Sequence, residues 1–147
     1  MSRLDTVSRV LRLKDHRKED LEAEVKKVRA LIRQEQELLD SLEKTFAETV
    51  ELYEKKHRGG LVKAEEMKLF TDYFARLYDR MDVQKKKILR RLAELNEVQK
   101  ALLNAYQEKK LVETLQGRII DEERVRKEKA EQKEADFMHL SRRHGHR

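Results

Sequence analysis

The sequence predicts an all-α protein, a long antiparallel two-helix coiled-coil hairpin whose C-terminal helix overhangs the first. Three observations predict it: the 147 residues contain no proline, 44% of them are charged, and the only adjacent glycines are Gly59 and Gly60. Average usage would give about seven prolines in this length, so the strongest helix breaker is absent from both arms. The 38% hydrophobic and 5% aromatic content suits a two-helix seam better than a thick globular core.

The first predicted helix covers residues 3–57 and has apolar residues in steps of three and four. The stripe is Leu4, Val7, Leu11, Lys14, Lys18, Leu21, Val25, Val28, Ile32, Glu35, Leu39, Leu42, Phe46, Thr49 and Tyr53. A spacing of about 3.5 residues sustained over several heptads is typical of a left-handed coiled coil.

Charged residues interrupt this stripe at Lys14, Lys18 and Glu35. The favoured interpretation is that they form polar layers, with long aliphatic stems lying along the seam, and so fix the pairing register. The alternative is that the lysines face a partner protein.

A turn at residues 58–60 and a second helix over residues 61–140 follow, since glycine tolerates the left-handed backbone that ends a helix. The second stripe is Met67, Phe70, Phe74, Leu77, Met81, Gln84, Ile88, Arg91, Leu95, Val98, Leu102, Ala105, Lys109, Val112, Gln116 and Ile119. Folding back at the glycines brings Glu35 level with residues 81–84, which predicts one polar layer across both helices.

The second helix is the longer one, so pairing is predicted to end near Leu115. Gly117 lies at that point, and we interpret it either as a hinge or as a site of close helix approach. The hairpin is predicted to be a single domain over residues 1–140, followed by a disordered basic tail over residues 141–147. Phe137, Met138 and Leu140 form an apolar cluster that needs a second chain or a partner to cover it.

Two chemically different surfaces emerge from this arrangement. Most aromatic residues lie near the turn; Phe46, Tyr53, Phe70 and Phe74 fit the seam, whereas Tyr73 and Tyr78 do not and are predicted to be exposed interface residues. The terminal end is basic, with Arg3, Arg9, Arg12, Lys14, Arg17, Lys18, Lys109, Lys110, Arg118, Arg124, Arg126 and Lys127. A solvated helix surface is the alternative interpretation of this basic end.

Other function classes are disfavoured. A two-helix rod encloses no dry concavity, so we expect no enzyme, no catalytic residues and no cofactor. There is no cysteine, and the terminal histidines His139, His144 and His146 have no fixed geometry, so we expect no metal site. The basic run at residues 85–91 spreads around its helix without a base-reading module, which argues against specific nucleic-acid binding. No signal peptide or apolar span is apparent, so we expect a cytoplasmic protein.

The chain resembles the FliJ/YscO family of type III export proteins over nearly its whole length. The resemblance is carried by the basic first helix, the hairpin turn and three segments in order: 70–77 (FTDYFARL), 109–118 (KKLVETLQGR) and 131–136 (EQKEAD). It implies a stalk that engages a hexameric export ATPase and the export gate FlhA and interacts with export chaperones. The protein would then lie in the cytoplasm, peripheral to the inner membrane through its partners only.

The resemblance also suggests which residues bind. The gate-binding tip maps by position onto Phe46, Tyr53, Tyr73, Leu77 and Met81. The ATPase-binding end maps onto the chain termini, where acidic pore loops would meet Arg9, Arg12, Arg118 and Arg124. We expect a monomer in isolation. A parallel homodimeric scaffold with a basic tail, or the equivalent stalk of an injectisome, remains an alternative at this point, whereas a rotary ATPase shaft is disfavoured because only a short turn separates the helices.

Overall fold

Two α-helices account for the fold of this computed structural model, which describes residues 2–60 and 62–145. Helix α1 is Arg3–Arg58 and helix α2 is Ala64–Gly145. The predicted all-α helical hairpin is confirmed. The chain packs as two compact units, here called the terminal unit (Met1–Asp20 with Leu102–Arg147) and the hairpin unit (Leu21–Ala101). The prediction of a single domain over residues 1–140 stays a prediction.

The hairpin unit contains the turn, which is longer than predicted. Helix α1 ends at Arg58 and α2 begins at Ala64, so the described residues between the helices are Gly59, Gly60, Val62 and Lys63, whereas the predicted turn was 58–60. Gly60 has a φ of 64°, the left-handed conformation expected of a glycine at this position. The acidic residues Glu65 and Glu66 lie in the first turn of α2, where they suit its positive N-terminal end. This preference favours a helix that begins at Ala64 and not at the predicted residue 61; Leu61 itself lies outside the described residues.

Helix α2 continues beyond the predicted end at residue 140. Residues 141–145 are helical, so the predicted disordered tail is wrong for these five positions, while His146 and Arg147 lie outside the described residues. Arg142, Arg143 and His144 occupy the last turn, where positive charge complements the negative end of the helix dipole. No proline interrupts the segment, so the helix runs to Gly145.

The core of the hairpin unit is the predicted seam. Its buried apolar residues are Leu21, Val25, Val28, Leu39, Leu77, Ile88 and Val98. Every one belongs to the two stripes read from the sequence, and Val28 is the most deeply buried. Met67 is an exception among the predicted seam positions because it is exposed, next to the start of α2.

In the terminal unit, the start of α1 pairs with a part of α2 that lies beyond the predicted limit of Leu115. Ala105 and Ile119 are buried, Gln116 donates a hydrogen bond from Nε2 to the Ser8 hydroxyl at 3.2 Å, and Arg3 contacts Glu122 at 3.5 Å. The prediction that pairing ends near Leu115 is therefore wrong. Because α1 is helical from Arg3 onward, its first turns lie beside residues 116–122.

Beyond this pairing, each described residue from Ile120 to Gly145 is exposed. Gly117 lies within α2, and a Cβ added there would meet nothing within 4 Å. The interpretation that Gly117 permits close helix approach is therefore wrong, since a side chain at this position would point into open space and not against α1. The hinge interpretation stays a prediction.

Candidate partner-binding surfaces

The residues predicted to form the gate-binding tip lie in the hairpin unit around an aromatic cluster. Phe46 and Phe74 have ring centroids 5.4 Å apart, and Tyr53 and Phe70 have centroids 5.3 Å apart, both in edge-to-face geometry. These contacts join α1 to α2. Phe46 and Tyr53 are half-buried, so their rings stabilise the helix pairing and leave little surface for a partner.

The other predicted tip residues differ in exposure. Leu77 is only 3% exposed and Met81 is half-buried, so both belong to the seam. Tyr73 is 39% exposed, which makes it the one predicted tip residue with a substantial accessible surface. The structure therefore brings the five residues to one region but presents chiefly Tyr73 to solvent.

Tyr73 borders an open groove between the helices, here called the tip groove, of about 510 Å³. The groove is lined by Thr49, Leu52, Lys56, Glu66, Leu69, Phe70, Tyr73 and Arg76. Leu52 and Leu69 are both largely exposed, and sequence reasoning did not single them out. The available signal was their position beside the seam, since an apolar residue next to a narrow seam has no intramolecular reason to be apolar.

A polar layer crosses the hairpin unit where the sequence predicted it. Gln84 is buried, and its Nε2 donates to the Glu35 backbone carbonyl at 2.8 Å and to the Glu35 carboxylate. Both amide hydrogens are therefore used. The predicted pairing of Glu35 with residues 81–84 is confirmed.

In the terminal unit the seam lysines pair with carboxylates, Lys14 and Lys109 across the helix interface and Lys18 within α1. Lys14 contacts Glu108 at 2.9 Å, and Lys109 contacts Asp15 at 2.8 Å. Lys18 lies 3.7 Å from Asp15 and also over the ring of Tyr106. The charges of the seam lysines are thus engaged within the chain, as the polar-layer interpretation expects, while their role in fixing the pairing register stays a prediction.

The ion pair between Asp15 and Lys109 changes the pKa values of both groups. The hydrogen bond from Lys109 lowers the pKa of Asp15 below its ordinary value of 3.8, helped by the positive charges of Lys109 and Lys18. The same hydrogen bond raises the pKa of Lys109 above 10.5. Hydrogen bonding to the ionised forms favours charge on both partners.

The four arginines predicted to contact the ATPase also lie in the terminal unit, and all are exposed. Arg9 and Arg12 line a shallow groove of about 500 Å³ together with Leu13 and His16. Arg124 lies 3.9 Å from Asp121, a long ion pair on the same helix. Arg9, Arg12 and Arg118 make no ion pair with any other described residue, so their guanidinium groups are available to a ligand.

The described residues contain no group of three or more His, Cys, Asp or Glu side chains able to hold a metal ion. Within residues 2–60 and 62–145, no helix combines the length and hydropathy needed to cross a membrane. The cavities described above are open grooves lined by side chains from exposed helix surfaces.

Comparison with known families decides the relationship. The family model described as "Flagellar FliJ protein" matches residues 1–145. The chain belongs to the FliJ family. No curated protein and no solved structure matches it. Membership in the FliJ family gives the protein a role related to flagellar export, as a non-catalytic component, and confirms the resemblance seen in the sequence.

The structure and the FliJ family match also bear on the alternatives. The parallel homodimeric scaffold would need a straight helix through Gly59 and Gly60. Helix α1 instead ends at Arg58 and Gly60 has a positive φ, which disfavours that scaffold. The family model is that of the flagellar protein, which favours flagellar export over an injectisome.

Proposed function

We propose that the protein is a non-enzymatic cytoplasmic stalk of the flagellar type III export apparatus. In this proposal the terminal unit engages the hexameric export ATPase, the hairpin unit engages the export gate FlhA, and the protein assists delivery of substrates by export chaperones. It is peripheral to the inner membrane through these partners. FliJ family membership over residues 1–145 supports the export role.

The observation that carries the ATPase assignment is a difference between the basic residues of the terminal unit. Lys14 and Lys109 are engaged in ion pairs between α1 and α2, whereas Arg9, Arg12 and Arg118 have no ion pair with another described residue. Unpaired guanidinium groups on an exposed helix surface suit carboxylates of a partner. Acidic pore loops of the ATPase ring are the partner groups we propose.

The mechanism we propose is asymmetric contact. A narrow pair of helices that enters a six-fold ring touches some subunits more than others. A ligand shifts a protein between states only through such differential contact. The stalk would therefore stimulate ATP hydrolysis by favouring different conformations in different subunits of the ring.

Charge reversal tests this assignment. The full-length variant with Arg9, Arg12, Arg118 and Arg124 changed to Glu should lose most of its stimulation of the purified export ATPase. A matched variant changes four exposed basic residues of the hairpin unit, Lys27, Arg33, Lys68 and Lys85, to Glu and should retain it. Equal stimulation by wild type and the arginine variant, with helix content unchanged, would refute the proposed contact.

Light scattering tests the proposed monomer. The isolated protein should scatter with the mass of one chain, 17.7 kDa. A stable dimer at micromolar concentration would instead favour the scaffold alternative.

A further inference from the structure

One face of the hairpin unit carries a second apolar stripe beside the seam. The tip groove contains Leu52, Leu69 and Tyr73, and a second groove of about 390 Å³ contains Leu38 and Val83 beside the seam residue Leu42. The α2 residues Leu69, Tyr73, Arg76, Arg80, Val83 and Lys87 follow one another at intervals of three or four residues. They therefore share one side of the helix, and the two grooves lie on one face.

The floor of this face is apolar and accessible. Leu38 and Val83 are each about half exposed, and Leu69 is 67% exposed. A two-helix coiled coil needs only its narrow seam to be apolar, so a second stripe has no role in the pairing of α1 with α2. A concave stripe between two helices has the shape that receives the apolar side of a third helix.

The walls of the same face carry an excess of positive charge. Lys56, Arg76, Arg80 and Lys87 line the two grooves, against the carboxylates of Glu66 and Asp79. None of these four cations forms an ion pair with another residue of the described chain. Lys56 Nζ instead lies 5.8 Å from the centroid of the Phe70 ring.

Two neighbouring lysines outside the two grooves, Lys55 and Lys86, are paired within their own helices. Lys55 contacts Glu51 at 3.5 Å, and Lys86 contacts Asp82 at 3.0 Å, each one turn away on the same helix. Carboxylates are thus placed to pair with lysines elsewhere on this unit. The two grooves together hold four unpaired cations against two carboxylates, and this local excess of positive charge suits negative charge supplied by another molecule.

We propose that this face binds an amphipathic helix of a partner protein, with an apolar stripe flanked by Asp and Glu residues. The apolar stripe would pack on Leu52, Leu69 and Val83, and the acidic flanks would pair with Arg76 and Arg80. The inference deepens the proposed function and rests on it, since it names the kind of segment that the export gate would offer. An anionic lipid surface is the alternative ligand, but a flat bilayer fits a concave groove less well than a helix does.

Two designed peptides test the proposal on the full-length protein. The acidic probe is a fluorescein-labelled helix with Leu in the apolar stripe and Glu at the flanks, and the basic probe has Lys in place of each Glu. Fluorescence anisotropy at physiological ionic strength should show binding of the acidic probe only. Arg76→Glu with Arg80→Glu should weaken acidic-probe binding by about tenfold or more and should create binding of the basic probe.

The control variant changes the opposite side of the same helix. Lys85 follows Arg80 by five residues, which places it about 140° around α2, and Lys68 is likewise exposed outside both grooves. Lys68→Glu with Lys85→Glu should change acidic-probe affinity less than about threefold, the effect expected of distant screened charges. Equal affinity for the two probes, equal loss in both double variants, or displacement of the acidic probe by anionic vesicles but not by unlabelled probe, would overturn the proposal.

The same variants separate this inference from the proposed function. Binding of the gate's cytoplasmic part is measured in parallel by calorimetry. If the acidic probe binds as expected and the gate does not bind at all, the gate assignment fails and the helix-binding face stands. If the gate binds equally to wild type and to the Arg76 and Arg80 variant, while the acidic probe does not bind, the helix-binding proposal fails alone.

Discussion

Gln84 on α2 donates two hydrogen bonds to Glu35 on α1, one to its backbone carbonyl and one to its carboxylate. This contact replaces apolar packing at one level of a largely apolar seam. Buried polar layers in coiled coils specify register and cost stability, because an unpaired polar group in the seam is unfavourable in any other alignment. We infer that the pair fixes the alignment of the two helices in the hairpin unit.

Changing one member of this pair should destabilise the protein more than changing both. Glu35→Leu leaves the buried Gln84 amide without its acceptor carboxylate, and we expect a loss of about 1–3 kcal/mol in the free energy of unfolding. The double variant with Leu at both positions should recover most of that loss, because two leucines pack against each other and leave no buried polar group without a partner. Urea denaturation followed by circular dichroism measures the free energy of unfolding of both variants. A double variant less stable than the single variant would contradict this account.

The seam was predictable because its physical signal repeats in every heptad. Apolar residues such as Val28 and Leu77 recur with one period, and Glu35 and Gln84 could be placed level once the turn was located. The exact turn was not predictable, because the glycine pair marks where the chain reverses but the start of α2 depends on local preferences at Glu65 and Glu66.

The candidate surfaces were only partly predictable. Tyr73 was recognised because a tyrosine outside the seam is unusual, whereas Leu52 and Leu69 lie beside the seam residues Tyr53 and Phe70, and only the structure shows that both leucines line one groove. The sequence also could not separate engaged from unpaired cations. Lys109 and Arg118 look equivalent in a basic segment, yet Lys109 contacts Asp15 at 2.8 Å, and Arg118 has no ion pair with another described residue.

Leu77 and Tyr73 should have opposite roles despite being one helical turn apart. Leu77 is only 3% exposed, so Leu77→Ala should destabilise the protein by about 2–5 kcal/mol through loss of core packing. Tyr73→Ser should leave stability within about 1 kcal/mol and weaken binding to the export gate, because exposed tyrosines are common interface anchors. Denaturation and calorimetric titration measure the two effects.

Tyr78 provides the matched control for Tyr73. It is 66% exposed on the same helix but does not line the tip groove. Tyr78→Ser should leave gate binding unchanged. If the two serine variants weaken gate binding equally, the tip groove is not the gate-binding surface.

The Asp15 and Lys109 pair should make stability fall at both pH extremes. The pKa of Asp15 is lowered by the Lys109 hydrogen bond, so its contribution is present above pH 3.8 and is lost as the pH falls through the lowered value. The pKa of Lys109 is raised, so its contribution is present below pH 10.5 and is lost as the pH rises through the raised value. The stability difference between wild type and Asp15→Asn should therefore be greatest between these limits and shrink outside them.

Thermal melts across this pH range check the prediction, with Asp121→Asn as the control. Asp121 lies 3.9 Å from Arg124 in an exposed pair on one helix, and such pairs contribute little to stability. Its variant should follow wild type closely at each pH. A constant difference between wild type and Asp15→Asn from acid to alkaline pH would rule out the linkage.

Gly117 should be replaceable by alanine with a gain in helix stability. Helix α2 continues through Gly117, and the added Cβ would meet nothing within 4 Å, so there is no clash. The change lowers the backbone entropy of the unfolded chain, and the helix is favoured as a result. Alanine is favoured over glycine in a helix by about 1 kcal/mol, which should slow local amide exchange around this position by about fivefold. Hydrogen exchange with mass spectrometry measures the amide exchange rate around Gly117. If the predicted hinge is required for the proposed stalk function, Gly117→Ala should also reduce ATPase stimulation; slower exchange with unchanged stimulation would show that the flexibility has no such role.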